Sequence, residues 1–172
     1  MVNKSNIIKI GIDTTVLHAY LRDGKDPEEG RWAKTIIQKL KEKEFYEVVI
    51  SQLVLGELLA EFQEDFDNIK PDERNNFFVK VCNLIRDVRA KCPPFDMRKI
   101  REFELYNFIS EADWIGPSDL IIVCHAAFQG CSKFITNERR LIKNKTLHTL
   151  TEQIGKKTGK SMIITEELQG HN

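Results

Sequence analysis

Apolar residues in this chain come in two rhythms that alternate along its length. Residues 7–12 (IIKIGI) form a short Ile-rich run bounded by polar positions, the mark of a buried strand. Residues 15–22 (TVLHAYLR) then read as a helix or helical turn. Gly24 and Pro27 punctuate a loop in DGKDP, after which Trp32, Ile36, Ile37 and Leu40 recur at helical spacing over 28–43. EVVI at 47–50 is a second strand, and Ser51 follows as the N-cap of a helix carrying Leu53, Leu55, Leu58, Leu59 and Phe62. Asp72 caps a further helix whose inner side holds Phe77, Phe78, Val81, Leu84, Ile85 and Val88; Pro93 and Pro94 end it and allow a short extended stretch. Helical spacing returns over 98–111 through Ile100, Phe103, Leu105, Phe108 and Ile109.

GPSD at 116–119 is a helix start, with Pro in the first turn and Ser118 or Asp119 near the cap. The helix runs through LIIVCHAAFQG and stops at Gly130. Residues 133–135 are a short strand ending at Thr136, residues 138–143 and 147–157 are helical, and 161–165 form a last strand before a frayed tail beyond Glu167. Strands alternating with helices predict an α/β fold with a mostly parallel sheet. There is no internal repeat and no low-complexity linker.

Composition narrows the class. The chain has 172 residues, 41% of them hydrophobic and 30% charged, which suits one soluble domain with a single substantial core. Lys plus Arg (26) balance Asp plus Glu (26), so net charge carries no sign of a polyanionic partner. Distribution does. Between residues 139 and 160 stand seven basic residues (Arg139, Arg140, Lys143, Lys145, Lys156, Lys157, Lys160) against one acid, Glu152. This strip is either a solvated helix face or a surface for phosphates. Cys82, Cys92, Cys124 and Cys131 show no two-residue spacing of a zinc knuckle or redox motif, so they read as reduced thiols of a cytoplasmic protein. No leader with a cleavage site and no apolar run near 18 residues is present, so neither secretion by a signal peptide nor a membrane span is expected.

The candidate chemistry lies in four acids. In open α/β sheets, sites form beyond the carboxyl ends of the strands. Asp13 follows the first strand, and Glu57 lies one to two turns into the helix after the second. Asp119 lies in the first turn of the helix before the third strand, and Glu138 stands two residues beyond that strand's end. Taken singly, each has a plainer role as a turn, cap or solvated helix residue. Taken together, they would meet at one rim of a parallel sheet. Four close carboxylates repel, and divalent cations that prefer oxygen ligands, Mg²⁺ or Mn²⁺, relieve the repulsion. An acidic rim beside a basic strip is a coherent arrangement for cutting a phosphodiester.

Other chemistries find little footing. His18 and His125 lie among apolar helix neighbours, and no pair among His18, His125, His148 and His171 has helical zinc spacing. Trp32 and Trp114 read as core or interface residues, with Trp114 close to Asp119 in sequence. No phosphate-binding glycine loop and no G-x-S-x-G elbow occurs.

At these acids the chain resembles a known family. IGIDTTVL around Asp13, ISQLVLGELL around Glu57, GPSDLIIVCHAAFQG around Asp119 and KFITNERRL around Glu138 resemble, in order, the four sequence blocks of PIN-domain proteins. The resemblance covers about residues 7–165. It implies a three-layer α/β domain with a central parallel sheet of four to five strands. It also implies a Mg²⁺- or Mn²⁺-dependent endoribonuclease, with the toxins of toxin–antitoxin pairs among its relatives. Asp13, Glu57 and Asp119 would be the metal ligands, with Thr14, Thr136, Ser118 and Asn137 as polar neighbours. Glu138 departs from the pattern, which most often has Asp there; the extra methylene bears most on a second metal. Arg139, Arg140, Lys143 and Lys145 would face RNA, and an antitoxin and a homodimer or larger homo-oligomer are the implied partners. An extra helical segment at about 64–110 would clamp RNA, form a dimer face or hold an inhibitory partner. The rival within the same fold is a catalytically weak or inactive RNA- or protein-binding module. Phosphoryl transfer by an aspartyl nucleophile, suggested by the likeness of IDTTV to D-x-D-x-T, lacks its second aspartate because Thr15 stands there.

Overall fold

The computed structural model describes residues 7–22, 26–64, 70–111 and 115–168. Trp114, His171, the loop at 23–25 and the tail beyond 168 lie outside the described residues.

The first run of isoleucines is strand β1 (Ile8–Ile12), and α1 (Thr14–Leu21) follows after the single residue Asp13. Helix α2 (Pro27–Glu42) starts with Pro at its first position, while the Asp26 carboxylate accepts from the Glu28 and Glu29 amides at 2.8 and 3.2 Å. Its stripe of Ala33, Ile36, Ile37 and Leu40 is buried. Strand β2 (Tyr46–Val49) leads into α3 (Gln52–Glu64), and the Ser51 hydroxyl accepts from the Leu53 amide at 3.2 Å.

Helix α4 (Pro71–Asp87) begins one residue before the expected cap: Lys70 holds the N-cap position and Asp72 lies in the first turn. Its inner face is also narrower than the spacing predicts. Leu84 is buried within the helix, with Val88 just past it, whereas Phe77 is half-buried and Phe78 is 48% exposed. The stretch after the helix is extended at Lys91, which bridges in parallel to Val49 at the edge of the sheet. The segment 98–111 divides into α5 (Arg98–Glu102) and α6 (Leu105–Glu111), because Glu104 adopts a left-handed backbone with φ 49°.

Helix α7 (Pro117–Phe128) is buried nearly all round, through Leu120, Ile122, Val123, Cys124, His125, Ala126 and Ala127. It ends before Gly130, whose φ of 72° suits glycine. Strand β3 (Lys133–Ile135), helices α8 (Arg139–Ile142) and α9 (Lys145–Thr158), and strand β4 (Ile163–Thr165) complete the described chain.

The four strands pair in the order β2-β1-β3-β4, every neighbour parallel, with helices flanking the sheet. Central β1 carries the core, with Ile10 and Ile12 almost fully enclosed. Gly11 lets α7 come close: a Cβ there would stand 2.7 Å from the Ala126 Cβ. Among the described residues no helix is long and apolar enough to cross a membrane.

Candidate active site at the carboxyl rim of the sheet

Asp13 is placed by backbone pairing before its side chain does anything. Its amide donates to the Ile135 carbonyl at 3.0 Å, which extends the β1–β3 ladder by one rung, and on the other side of β3 the Thr136 amide donates to the Thr165 carbonyl of β4 at 3.1 Å. Asp13 occupies the N-cap position of α1, yet its carboxylate makes no capping bond to the first turn. Asp26 at the start of α2 shows the contrast, since it caps two amides. Instead, Asp13 Oδ2 accepts from Thr136 Oγ1 at 2.7 Å and from Thr15 Oγ1 at 2.9 Å. The side chain is only 3% exposed. Burial pushes its pKa up to about 6 against the opposing pull of these hydroxyls and the Thr14 amide, and Asp119 adds to the rise.

The other acids reach the same rim from three further elements. Glu57 on α3 is held by Thr14, whose Oγ1 donates to Glu57 Oε2 at 2.5 Å. The surroundings of Glu57 are mixed: Leu58 is buried, Leu55 is half-buried and Leu59 is 42% exposed. The apolar enclosure of Glu57 by its leucine neighbours is therefore one-sided. Asp119 stands third in α7. The N-cap position belongs to Gly116, and the Asp119 carboxylate reaches back to accept from the Gly116 amide. Burial raises the Asp119 pKa; Arg140 opposes the rise, and Glu138 and Glu57 reinforce it. Glu138 sits at the N-cap position of α8, with its amide donating to Thr136 Oγ1 at 3.0 Å. Thr136, fully buried, thus ties Asp13 to the Glu138 backbone.

A cation already lies across two of these acids. Arg140 Nη2 donates to Asp119 Oδ2 at 3.1 Å, and Arg140 Nε meets Glu138 Oε1 at 2.5 Å. Asp13 acts on the same guanidinium electrostatically. Arg140 therefore faces the acids, whereas Arg139, Lys143 and Lys145 are exposed beside them. Ser118 is exposed on the first turn of α7, and Asn137 is half-buried.

Behind the rim, Ser51 and His125 form a buried polar tie. Ser51 Oγ and His125 Nδ1 lie 2.9 Å apart, joining the start of α3 to α7, and Gln129 Nε2 lies 3.2 Å from His125 Nε2. Burial lowers the His125 pKa and so favours the neutral ring.

Three of these contacts escape sequence reasoning. Thr15, two residues after Asp13, carries a legible signal because hydroxyls at that offset often turn back on the preceding acid. Arg140, two residues after Glu138, carries a weaker one. The Ser51–His125 pair joins residues 74 apart and leaves no local trace.

The oxygen-only set of Asp13, Glu57, Asp119 and Glu138 suits a hard divalent cation, and the buried Asp13 carboxylate lacks the charge compensation such an ion gives. As the side chains stand, among the described residues no three acids, histidines or cysteines are drawn close enough to enclose one.

The family model described as PIN domain matches residues 10–146, which span all four acids. This chain belongs to the PIN-domain family. PIN domains are generally nucleases that use divalent metal. The PIN architecture also recurs in a solved relative: the crystal structure of VapBC2 from Rickettsia felis bound to a DNA fragment from their promoter. A chain of that complex matches 91% of this PIN domain chain and 98% of its own length, with a TM-score of 0.57 and 16% identity. At that identity the likeness shows the fold. No curated protein sequence matches the chain.

Proposed function

We propose that this PIN-domain protein is a divalent-metal-dependent endoribonuclease that hydrolyses RNA phosphodiester bonds. Asp13, Glu57, Asp119 and Glu138 are the acids proposed to hold Mg²⁺ or Mn²⁺. The observation that carries the reading is Asp13: a buried carboxylate at the end of the central strand, used for no cap, with Asp119 acting on it and Glu57 and Glu138 acting in turn on Asp119. A divalent ion bound there supplies Lewis acidity, lowering the pKa of a water and stabilising charge on the reacting phosphate.

The chain's own residues supply the rest. Thr136 and Thr15 orient Asp13 through its Oδ2, and Thr14 orients Glu57. The Gly116 amide fixes Asp119. Arg139, Lys143 and Lys145, all exposed, are the residues proposed to contact phosphates on either side of the scissile bond. The likeness to the VapBC2 complex favours a small antitoxin protein as partner, and we include a homo-oligomeric, cytoplasmic form in the proposal.

RNA cleavage with and without a chelator tests the reading, repeated for Asp13→Asn and Asp119→Asn. Cleavage falls at least about 100-fold in each case, the scale on which acid–base and charge-stabilising groups act. Cleavage that survives chelation and both substitutions sinks the proposal.

A second reading is favoured by one observation, the guanidinium of Arg140 seated between Asp119 and Glu138. On that reading the domain binds RNA or protein without cutting. It predicts RNA retention that is indifferent to chelator, with no product at any Mn²⁺ concentration.

A further inference from the structure

Arg140 is the one basic side chain of the strip seen to turn into the acid rim. It is the second residue of α8, and the Thr136 hydroxyl anchors that turn through the Glu138 amide. Its Nε lies 2.5 Å from Glu138 Oε1 and its Nη2 lies 3.1 Å from Asp119 Oδ2, so one planar fork spans two acids from different elements. The Asp119 side chain is 16% exposed and that of Arg140 is 49% exposed, so the pair is sheltered on the acid's side only. The same guanidinium feels Asp13. Its positive charge therefore acts on three of the four carboxylates, Glu138, Asp119 and Asp13.

The identity of residue 138 fits this arrangement. Glutamate is one methylene longer than the aspartate usual at that position. Here its carboxylate meets Arg140, so the departure from the family pattern is matched by a partner two residues away.

We infer that Arg140 is an internal occupant of the cation site, held over Asp119 by Glu138, which a divalent ion must displace to bind. The inference rests on the metal-dependent reading above. Two consequences follow. Asp119 and Glu138 stay compensated when metal is scarce, so this pair of acids does not need the ion to fold. Loading is weaker than the acids alone would give, because every bound ion first breaks the Arg140 contacts. Once displaced, the guanidinium is free to meet a phosphate beside the site.

The test is a calorimetric Mn²⁺ titration of the whole protein, comparing wild type with Arg140→Ala and Arg139→Ala. Arg139 is the adjacent exposed arginine, so its removal changes net charge by the same amount without emptying the rim. The expected result is Mn²⁺ binding about tenfold tighter in Arg140→Ala, the scale of two modest ion pairs. Arg139→Ala stays within about twofold of wild type, as for a screened surface charge. Arg140→Gln, which keeps a polar side chain at the position, serves if the alanine variant is poorly folded and is expected to bind tighter in the same way. Binding by Arg140→Ala (or Arg140→Gln) that is no tighter than by Arg139→Ala overturns the inference and leaves the metal reading standing. Absence of Mn²⁺ binding in every variant at millimolar ion removes both.

Discussion

Asp13 sets the electrostatic character of the site. The folded chain keeps its proton up to about pH 6, whereas the ordinary value is 3.8. Between those values the unfolded chain has released a proton that the folded chain still holds, so stability falls as pH rises. The full differential is about 3 kcal/mol. Asp119 is shifted in the same direction. His125 acts oppositely: its lowered pKa makes stability fall as pH drops below its unfolded value. The clean measurement is therefore a difference. Urea unfolding in chelator should show Asp13→Asn gaining on wild type as pH rises from about 4 to 7, by about 1–3 kcal/mol once lost hydroxyl contacts are allowed for. A flat difference across that range removes the claim that Asp13 is an uncompensated buried acid. Thr136 is the companion case. Its hydroxyl donates to Asp13 and accepts from the Glu138 amide, so Thr136→Val should cost about 1–3 kcal/mol in the same assay.

At the scale of elements, what matters is how closely α7 lies on β1. A Gly11→Ala Cβ would stand 2.7 Å from Ala126 and 3.0 Å from Phe134, both in the core. Neither neighbour is the flexible end of a long side chain, so α7 must shift, and Asp119 shifts with it. The expectation is a loss of about 1–3 kcal/mol in stability, with activity falling further than stability alone explains. Unfolding midpoints and cleavage rates on one preparation check both.

Elements were also where the sequence was most and least legible. IIKIGI and EVVI could be little else than buried strands, and the helix punctuated by GPSD and Gly130 announced its own ends. The 98–111 pattern gave no warning of a break, because Glu104 is not a residue type that marks a left-handed turn. Helical spacing likewise named an inner face for α4, but spacing says nothing about how much of that face the rest of the molecule covers. Of the site, strand ends and helix starts located the acids, since topology follows from pattern. Which hydroxyl meets which carboxylate, and that Arg140 turns inward while Arg139 does not, depends on side-chain rotamers that no local rule sets.

For the whole molecule, net charge is zero, so the RNA binding proposed above would have to come from local concentration of charge. With Asp119→Asn in chelator to prevent cutting, Arg139→Ala and Lys143→Ala should each weaken RNA binding. Each should flatten the plot of log affinity against log salt by about 0.7, the release expected for one single-strand phosphate contact. Fluorescence anisotropy over a salt series measures this. Unchanged slopes would move the RNA path away from α8.

The sheet order has one more consequence, in time. β1 is synthesised before β3, and it reaches that neighbour only when residues 133–135 exist, more than 120 positions later. The Asp13 amide and carboxylate both wait for that strand, through Ile135 and Thr136. Such distant pairing is slow to form and cannot form on a nascent chain that is still short. On the proposed ribonuclease reading, the site that would cut RNA is assembled only after residues 133–136 have been made, so an unfinished chain that stops short of them would be harmless to its own message.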